Sequence, residues 1–582
     1  MSTSETQNPN RFRSRVPVLI AVGAVVVIVL MLAFGRTQRR DPGLTEFQAR
    51  YLQDVEHFGG FVFGDRCLPQ WAEAIGTSDR ATLLSLLTED CVGRLVSEDA
   101  AAETSVHGHV TSVERTGSAE SVSTSVSRDA VADWWVRARQ GFQSLAGVKA
   151  KIKRMQPSVP YELGGNWEGT MLVLMTGRSR EDRIREMRIA VSFQVPALDD
   201  ETPDQEAWFS RFDITRVSTV ESDAALMTEM TDATRIDVSR LQDNWSGVSG
   251  PQTPALTGGV YLADYDSDGL VDCLLTDLNG LGLYRGMGEG RFVEMTDDVG
   301  LPREFAELPA AWGDFDNDGD PDLVLGRRFY RNDCGSGTAG FTRLATTDTD
   351  LDIEDAVGYA VADVDSDGLL DLYVVGIGQR TSGQKWIGAN DTNRNQLWHN
   401  EGGLTFRDIT ESSGTKGRGT STFAAVFFDA NNDGHLDLMT ACEFGLNDFW
   451  LGTGDGRFEA AKLPEVYGGF SMGLTVGDID NDGLADPYVA NMYSKAGERV
   501  VANLPRDIYD EDVDSQLRDF VSGSDLYHNV GGGRFERMGQ SAGVADVGWA
   551  YGPAYVDLDN DGLLDLYAPC GFQSVTRKRP DG

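Results

Sequence analysis

The stretch AVADVDSDGLLDLYVVG, residues 360–376, sets a nine-residue acidic run, with aspartate at positions 1, 3, 5 and 9, between two apolar segments. Carboxylates at alternate positions surround one point, and the glycine at position 6 permits the sharp turn that brings the ninth residue back beside them. The flanks alternate and are rich in Val, Leu and Tyr, so they read as strands. The unit is therefore strand, acidic loop, strand.

Five further copies obey the same rule: DYDSDGLVD from Asp264, DFDNDGDPD from Asp314, DANNDGHLD from Asp429, DIDNDGLAD from Asp478 and DLDNDGLLD from Asp557. The ligating positions are Asp264, Asp266, Asp268 and Asp272 in the first loop, and Asp314, Asp316, Asp318 and Asp322 in the second. The third holds Asp363, Asp365, Asp367 and Asp371, and the fourth Asp429, Asn431, Asp433 and Asp437. The fifth holds Asp478, Asp480, Asp482 and Asp486, and the sixth Asp557, Asp559, Asp561 and Asp565. An oxygen cage of this kind suits a hard divalent cation, calcium above all, and up to six Ca2+ are expected. The fourth loop, with Asn431 in place of a carboxylate, should be among the weaker. An EF-hand does not fit, because its bidentate Glu would stand at position 12 between two helices.

The copies begin 50, 49, 66, 49 and 79 residues apart, which is the length of a four-stranded propeller blade with two insertions. The segments C-terminal to the loops agree: GLGLYRGMGEGRFVEM (280–295), QLWHNEGGLTFRDI (396–409), DFWLGTGDGRFEAA (448–461) and DLYHNVGGGRFERM (525–538) each read as a strand, a Gly-rich turn and a strand. Strands A and B thus flank each loop, and C and D form a hairpin.

With six loops and four or five copies of LY(R/H)N-x-G-x-G-x-F, residues 233–582 resemble the FG-GAP/VCBS-repeat propellers of integrin alpha-chain heads, and more closely proteins similar to cartilage acidic protein. Many of those relatives carry an ASPIC/UnbV module after the repeats, and this sequence reaches Gly582 without one. The resemblance implies a calcium-binding β-propeller. Six blades, with the strand-like ATRIDVSRLQ (233–242) completing the last, is the preferred closure; a truncated C-terminus and a seventh blade without a motif are the alternatives.

Residues 16–35, VPVLIAVGAVVVIVLMLAFG, carry no charge over twenty positions, enough for a helix to span a bilayer core. A signal anchor is expected there, with residues 1–15 as a cytoplasmic tail. Arg11, Arg13 and Arg15 on one side nearly balance Arg36, Arg39 and Arg40 on the other, so the cargo decides orientation. Extracellular calcium modules bind at roughly 0.1–1 mM, which the cytosol does not offer, so the body of the chain is expected to be periplasmic or extracellular.

Residues 41–225 have another texture. Helices are expected at 44–57, 78–97 and 128–146, and long strands at 167–178, 184–196 and 207–221, with basic clusters KAKIKR and GRSREDRIREMR. Helices succeeded by long antiparallel strands are similar to the nuclear-transport-factor-2-like (NTF2-like) cone, a small α+β domain. The fold class expected is thus mainly β: an N-terminal transmembrane helix, a cone domain at 41–225 and a propeller at 233–582.

The chain holds 91 acidic and 51 basic residues, a net charge of −40, and the ligating positions supply 23 of the carboxylates. Such clusters repel without a cation, so calcium should be coupled to folding. No basic patch survives in the repeats, which argues against nucleic acid as a partner. Six cysteines in 582 residues are too few for a disulfide-built scaffold; Cys67 and Cys91 could pair, with buried free thiols the alternative.

No catalytic arrangement is legible: no Ser-His-Asp order, nucleophile elbow or HExxH helix occurs. Gly335 to Gly340 matches GxGxxG but joins two blade strands, and His107-x-His109 would place two imidazoles on one strand face without a third ligand. His399 and His528 stand where Arg285 and Arg331 stand in other repeats, which marks a repeat position. The B-to-C connections at 376–396, 442–448 and 491–525 gather aromatic and charged residues, and Trp386, Glu443, Phe444, Asp448, Tyr493 and Tyr509 are the candidate partner-binding residues. The alternative for 491–525 is a small helical cap on the propeller. The function read from these features is a membrane-anchored interaction or adhesion module for an extracytoplasmic protein or glycan; a polysaccharide-active or other extracytoplasmic enzyme is the alternative.

Overall fold

The computed structural model describes residues 46–96, 102–116, 125–225, 227–241, 258–304, 309–334, 340–344, 356–377, 395–443, 446–461, 469–491, 497, 501–504, 518–519, 521–548 and 550–570. The expected tail and span at 1–35 lie outside these, and among the described residues no helix is long and apolar enough to cross a membrane. The chain divides into two units, Met1–Thr228 with Ser494–Val521, and Glu229–Tyr493 with Ser522–Gly582.

The first unit opens with α1 (Glu46–Val55), a π-helical stretch (Glu56–Cys67), α2 (Leu68–Thr77) and α3 (Arg80–Ser85). Strands β1 (Leu87–Arg94), β2 (Ala102–His107), β3 (Val110–Thr116) and β4 (Val126–Ser127) come next, then α4 (Arg128–Gln140). Four long strands finish it: β5 (Phe142–Pro157), β6 (Trp167–Ser179), β7 (Ile184–Val195) and β8 (Phe209–Ser222). The sheet runs β2-β3-β8-β7-β6-β5, with β1 parallel to β8 and antiparallel to β4. Alternate residues Met155, Trp167, Met171, Val173, Val191, Phe193 and Phe212 are buried in one core with Phe63, Trp71 and Trp135 from the helices. Trp71 meets Trp135 edge-on at 6.1 Å and Phe209 at 5.0 Å.

Three expectations for this unit are corrected. The helix expected over 78–97 stops at Ser85: Asp79 caps it by accepting the Thr82 N–H at 3.1 Å, and Leu87–Arg94 pairs as a strand. Apolar residues at 83, 86, 87 and 91 satisfy both periods, and Gly93 lets the strand lie so close to β8 that a Cβ there would stand 2.4 Å from the Phe212 carbonyl oxygen. The helix expected to 146 ends at Gln140, and KAKIKR belongs to β5, where Lys alternates with Ala and Ile at strand period. His107 ends β2 while His109 lies in the turn before β3, so the two do not belong to one strand.

The excursion at 491–525 is also reassigned. Ser494–Val521 belongs to the first unit, where Val501, Leu504 and Val521 join the core and Asn503 Nδ2 donates to the Met155 carbonyl oxygen at 3.1 Å. Those apolar side chains are buried there rather than on the repeats.

The second unit repeats one sheet. The first comprises β9 (Gly258–Ala263), β10 (Asp272–Asp277), β11 (Gly280–Gly286) and β12 (Phe292–Glu294); the second β13 (Ala310–Gly313), β14 (Asp322–Leu325), β15 (Arg328–Asn332) and β16 (Phe341–Arg343). The third comprises β17 (Ala356–Ala362), β18 (Asp371–Gly376), β19 (Gln396–Asn400) and β20 (Phe406–Asp408); the fourth β21 (Ser421–Phe428), β22 (Asp437–Glu443), β23 (Phe449–Gly452) and β24 (Phe458–Ala460). The fifth comprises β25 (Ser471–Gly477), β26 (Asp486–Asn491), β27 (Asp525–Asn529) and β28 (Phe535–Arg537). All five are antiparallel with strands in chain order, and the sixth repeat contributes the pair β29 (Ala554–Val556) and β30 (Asp565–Tyr567).

Consecutive sheets pack face to face, and the second strand of each shows why those segments read as unbroken apolar runs. Leu323 and Leu325 point into the cluster shared with the first repeat, while Val324 points into the cluster shared with the third. Leu372 and Val374 against Tyr373 and Val375 do the same one repeat on. Both faces are covered, so strict polar alternation is lost. Between the second and third sheets, Phe329 stacks on Phe406 at 4.3 Å with Phe315 edge-on to both.

The segment 233–242, expected as a strand, is not one in its described part. Thr231–Thr234 makes one helical turn and Val238–Arg240 a 3-10 turn, because Asp237 accepts the Ser239 N–H at 3.1 Å and favours a local turn over ladder pairing. Arg240 nevertheless fastens it to the first sheet, pairing with Glu294 at 2.9 Å.

Candidate metal centres

The six acidic loops share one backbone design. Position 1 caps the turn: Asp264 accepts the N–H of Asp268 at 3.0 Å and of Gly269 at 2.9 Å, and Asp314, Asp363, Asp429, Asp478 and Asp557 repeat both bonds at 2.8–3.1 Å. Position 5 accepts the N–H two residues on, as Asp268 does for Leu270 at 2.8 Å. Position 4 takes a left-handed conformation in every loop (Ser267 φ 56°, Asn317 58°, Ser366 61°, Asn432 62°, Asn481 59°, Asn560 57°), as does the glycine at position 6. Only Ser and Asn occur at position 4; Asn in particular tolerates that region.

Position 9 is a staple. Asp272 Oδ2 accepts the Tyr265 N–H at 2.9 Å, closing the loop, and its Oδ1 accepts the Gly286 N–H at 2.7 Å, fastening the loop to the third strand of its sheet. Asp322, Asp371, Asp437 and Asp486 make the same pair of bonds to Phe315 and Asn332, Val364 and Asn400, Ala430 and Gly452, and Ile479 and Asn529. All five carboxylates are buried. Burial pushes the carboxyl of Asp272 up to about 6, Asp322 up to about 7 and Asp437 up to about 6, against the downward pull of those N–H donors. In the sixth repeat Asp565 binds Leu558 N–H at 2.9 Å but is exposed.

Position 3 differs between loops: Asp316 and Asp365 Oδ1 each accept the position-5 N–H at 3.3 Å, whereas in the first loop that bond is missing. Asp266 Oδ1 is buried and accepts no hydrogen bond, and burial, then the charge of Asp268, raises its carboxyl. Asp316 is raised in the same way, with Asp318 as its neighbour. One oxygen each from Asp264, Asp266 and Asp272, and likewise from Asp314, Asp316 and Asp322, lie within 4.8 Å of one another. A buried, unpaired carboxylate oxygen among hard oxygen donors fits a calcium ion, which would be held by positions 1, 3, 5 and 9 and would supply the charge that these oxygens lack. In the fourth loop Asn431 Nδ2 instead donates to Asp433 Oδ2 at 3.0 Å, occupying an oxygen that the cation would use.

The third strand adds a group that sequence reasoning treats only as a repeat position. His399 Nδ1 lies 3.1 Å from Asp371 Oδ1 and 3.7 Å from Asp365 Oδ2, and His528 Nδ1 lies 3.3 Å from Asp486 Oδ1 and 3.9 Å from Asp480 Oδ2. At the same place Arg285 reaches Asp266 at 3.8 Å, Arg331 turns to Asp333 at 2.9 Å, and Leu451 offers nothing polar. The clue in the sequence is that these residues lie one position before the residue whose N–H meets the ninth Asp.

Of the candidate partner-binding residues, Trp386, Phe444, Tyr493 and Tyr509 lie outside the described residues. Glu443 and Asp448 are buried, and Asp448 Oδ1 pairs with Arg418 Nε at 2.9 Å, bracing the start of β23. All six cysteines are free thiols; burial pushes Cys67 and Cys91 up to about 12.

The FG-GAP-like repeat family matches residues 264–325, 386–440 and 429–489. The chain thus carries FG-GAP-like repeats within its second unit, consistent with an FG-GAP/VCBS-repeat protein. No curated protein matches it. Among solved structures it is similar to an Agrocybe aegerita lectin that recognises non-reducing terminal N-acetylglucosamine (16% identity, 68% of this chain and 80% of that one, TM-score 0.30). It is also similar to the V. cholerae biofilm matrix protein Bap1 (16% identity, 42% and 37%, TM-score 0.25). Both superpose only loosely on this chain.

Proposed function

We propose that this chain is a membrane-anchored, exported β-propeller whose calcium ions are structural and whose repeats serve as an interaction or adhesion module for an extracytoplasmic protein or glycan. The observation that carries the calcium reading is Asp266 Oδ1, buried without a partner inside a loop whose other carboxylates are committed to backbone N–H groups. Six loops of one design, joined by face-packed sheets, support a ring of blades; the anchor at 16–35 and the millimolar range of extracellular calcium sites support an exported body. The first unit, helices packed with a sheet of long antiparallel strands, supports the cone-like reading.

Equilibrium dialysis of the full chain against radioactive calcium tests this directly. Several ions per chain, retained against an equal concentration of magnesium, agrees with the proposal; fewer than one ion per chain refutes it. Protease should digest the repeats in intact cells or in cells whose outer envelope alone has been opened, and protection of the repeats until the cytoplasmic membrane is lysed would refute export.

A further inference from the structure

Strands β5 to β8 bring two rows of polar side chains to one face of the first unit's sheet. In one row Arg154 pairs with Thr170, Thr170 with Ser192, and Ser192 with Asp213; in the next, Gln156 pairs with Glu168, Glu168 with Gln194, and Gln194 with Arg211. Residues paired across strands, and residues two apart along one, share a face. The intervening Met155 and Phe212 are buried in the core on the other side. Together the two rows line a groove of about 250 Å3.

The groove carries no net charge, and a bonded network holds its charged groups. Arg154 Nη2 donates to Gln156 Oε1 at 2.8 Å, Gln156 Nε2 to Glu168 Oε1 at 2.7 Å, and Arg211 Nε to Asp213 Oδ2 at 2.7 Å. Two guanidinium groups balance two carboxylates, Arg211 with Asp213 directly and Arg154 with Glu168 through the neutral Gln156 amide, and these bonds fix donors and acceptors in place. One atom is left out: Asp213 Oδ1 is buried and accepts no hydrogen bond. A groove without net charge offers a charged ligand no net Coulombic gain, whereas a hydroxyl group donates to Asp213 and accepts from a guanidinium or amide. The volume falls below the roughly 300–1,000 Å3 of pockets for drug-sized ligands, which limits the occupant to about one ring. The excursion residue Asn503 binds the carbonyl of Met155, between Arg154 and Gln156, and so holds the groove's edge strand.

We infer that this groove binds an uncharged polyhydroxylated ligand, a single sugar ring of a glycan, independently of the acidic loops. Saturation-transfer NMR on the full chain in phospholipid nanodiscs, with glucose, galactose, mannose and N-acetylglucosamine offered singly, tests it. At least one sugar should bind with a dissociation constant of about 1 mM, and Thr170→Trp, which fills the groove from an exposed position, should weaken it roughly tenfold or more. Asp213→Asn should weaken it as well, and a calcium chelator should not. Transfer to none of the four sugars overturns the inference, as does transfer that survives Thr170→Trp or vanishes with the chelator. Should Thr170→Trp misfold by circular dichroism, Arg154→Ala replaces it, with the same loss expected and undiminished transfer overturning the inference.

Discussion

The side-chain amide of Asn332, in the second repeat, donates to the carbonyl oxygen of Tyr265 in the first acidic loop at 2.7 Å and to Pro321 of its own loop at 3.0 Å. Asn400 repeats the bond to Phe315 at 2.8 Å, and Asn529 to Ala430 at 2.9 Å. Each fully buried amide thus ties one loop to the loop before it, and the N–H of the same Asn binds the ninth Asp of its own loop. Loop geometry and packing between repeats are one structure.

Asn400→Ala removes the donor and leaves the Phe315 and Leu370 carbonyls without it. A loss of about 1–3 kcal/mol of stability is expected from urea unfolding, the cost of unsatisfied buried acceptors. A change within error would mean that the tie is incidental to the packing.

Asp266→Asn should act in opposite directions with and without calcium. Without the ion, replacing a carboxylate whose Oδ1 is buried without a hydrogen bond by a neutral amide should leave the melting temperature unchanged or raise it; with the ion, it should lower it. Paired melts of the variant and the parent check this, and a loss of equal size in both conditions would contradict a ligating role.

The pH dependence of the metal-free chain rests on Asp272, Asp322 and Asp437. Their folded values, about 6, 7 and 6, lie above that of an unfolded Asp, so between pH about 4 and 7 the folded state binds more protons and its stability falls as pH rises. Metal-free chain should therefore melt higher at pH about 5 than at about 7.5. Calcium reverses the sign, because protons then compete with the ion.

Phe406→Ala, which removes the ring stacked on Phe329 between the second and third sheets, should cost about 3–5 kcal/mol in denaturant unfolding. A cost below about 1 kcal/mol would mean that these sheets do not share a core.

The loops and four-stranded repeats are legible because carboxylate spacing and Gly-rich hairpins are local signals. The strands at 167–179, 184–195 and 209–222 are legible for the same reason, being long and alternating. Features that depend on distant partners stay hidden. Leu87–Arg94 reads as helix until β8 lies beside it, and Val501, Leu504 and Val521 give no sign that they are buried in the first unit. His399 and His528 look like mere repeat positions because their nearness to the acidic loops is set by β19 and β27, pairing across the sheet.

Calcium-dependent thermal unfolding of the full chain is the most direct test of the central claim. At about 1 mM calcium and a dissociation constant of about 0.1 mM, each filled loop adds roughly 1.4 kcal/mol, so several loops should raise the melting temperature by many degrees over the same chain in chelator. Equal melting temperatures in calcium and in chelator would show that the Asp-Gly loops hold without an ion and would contradict the account.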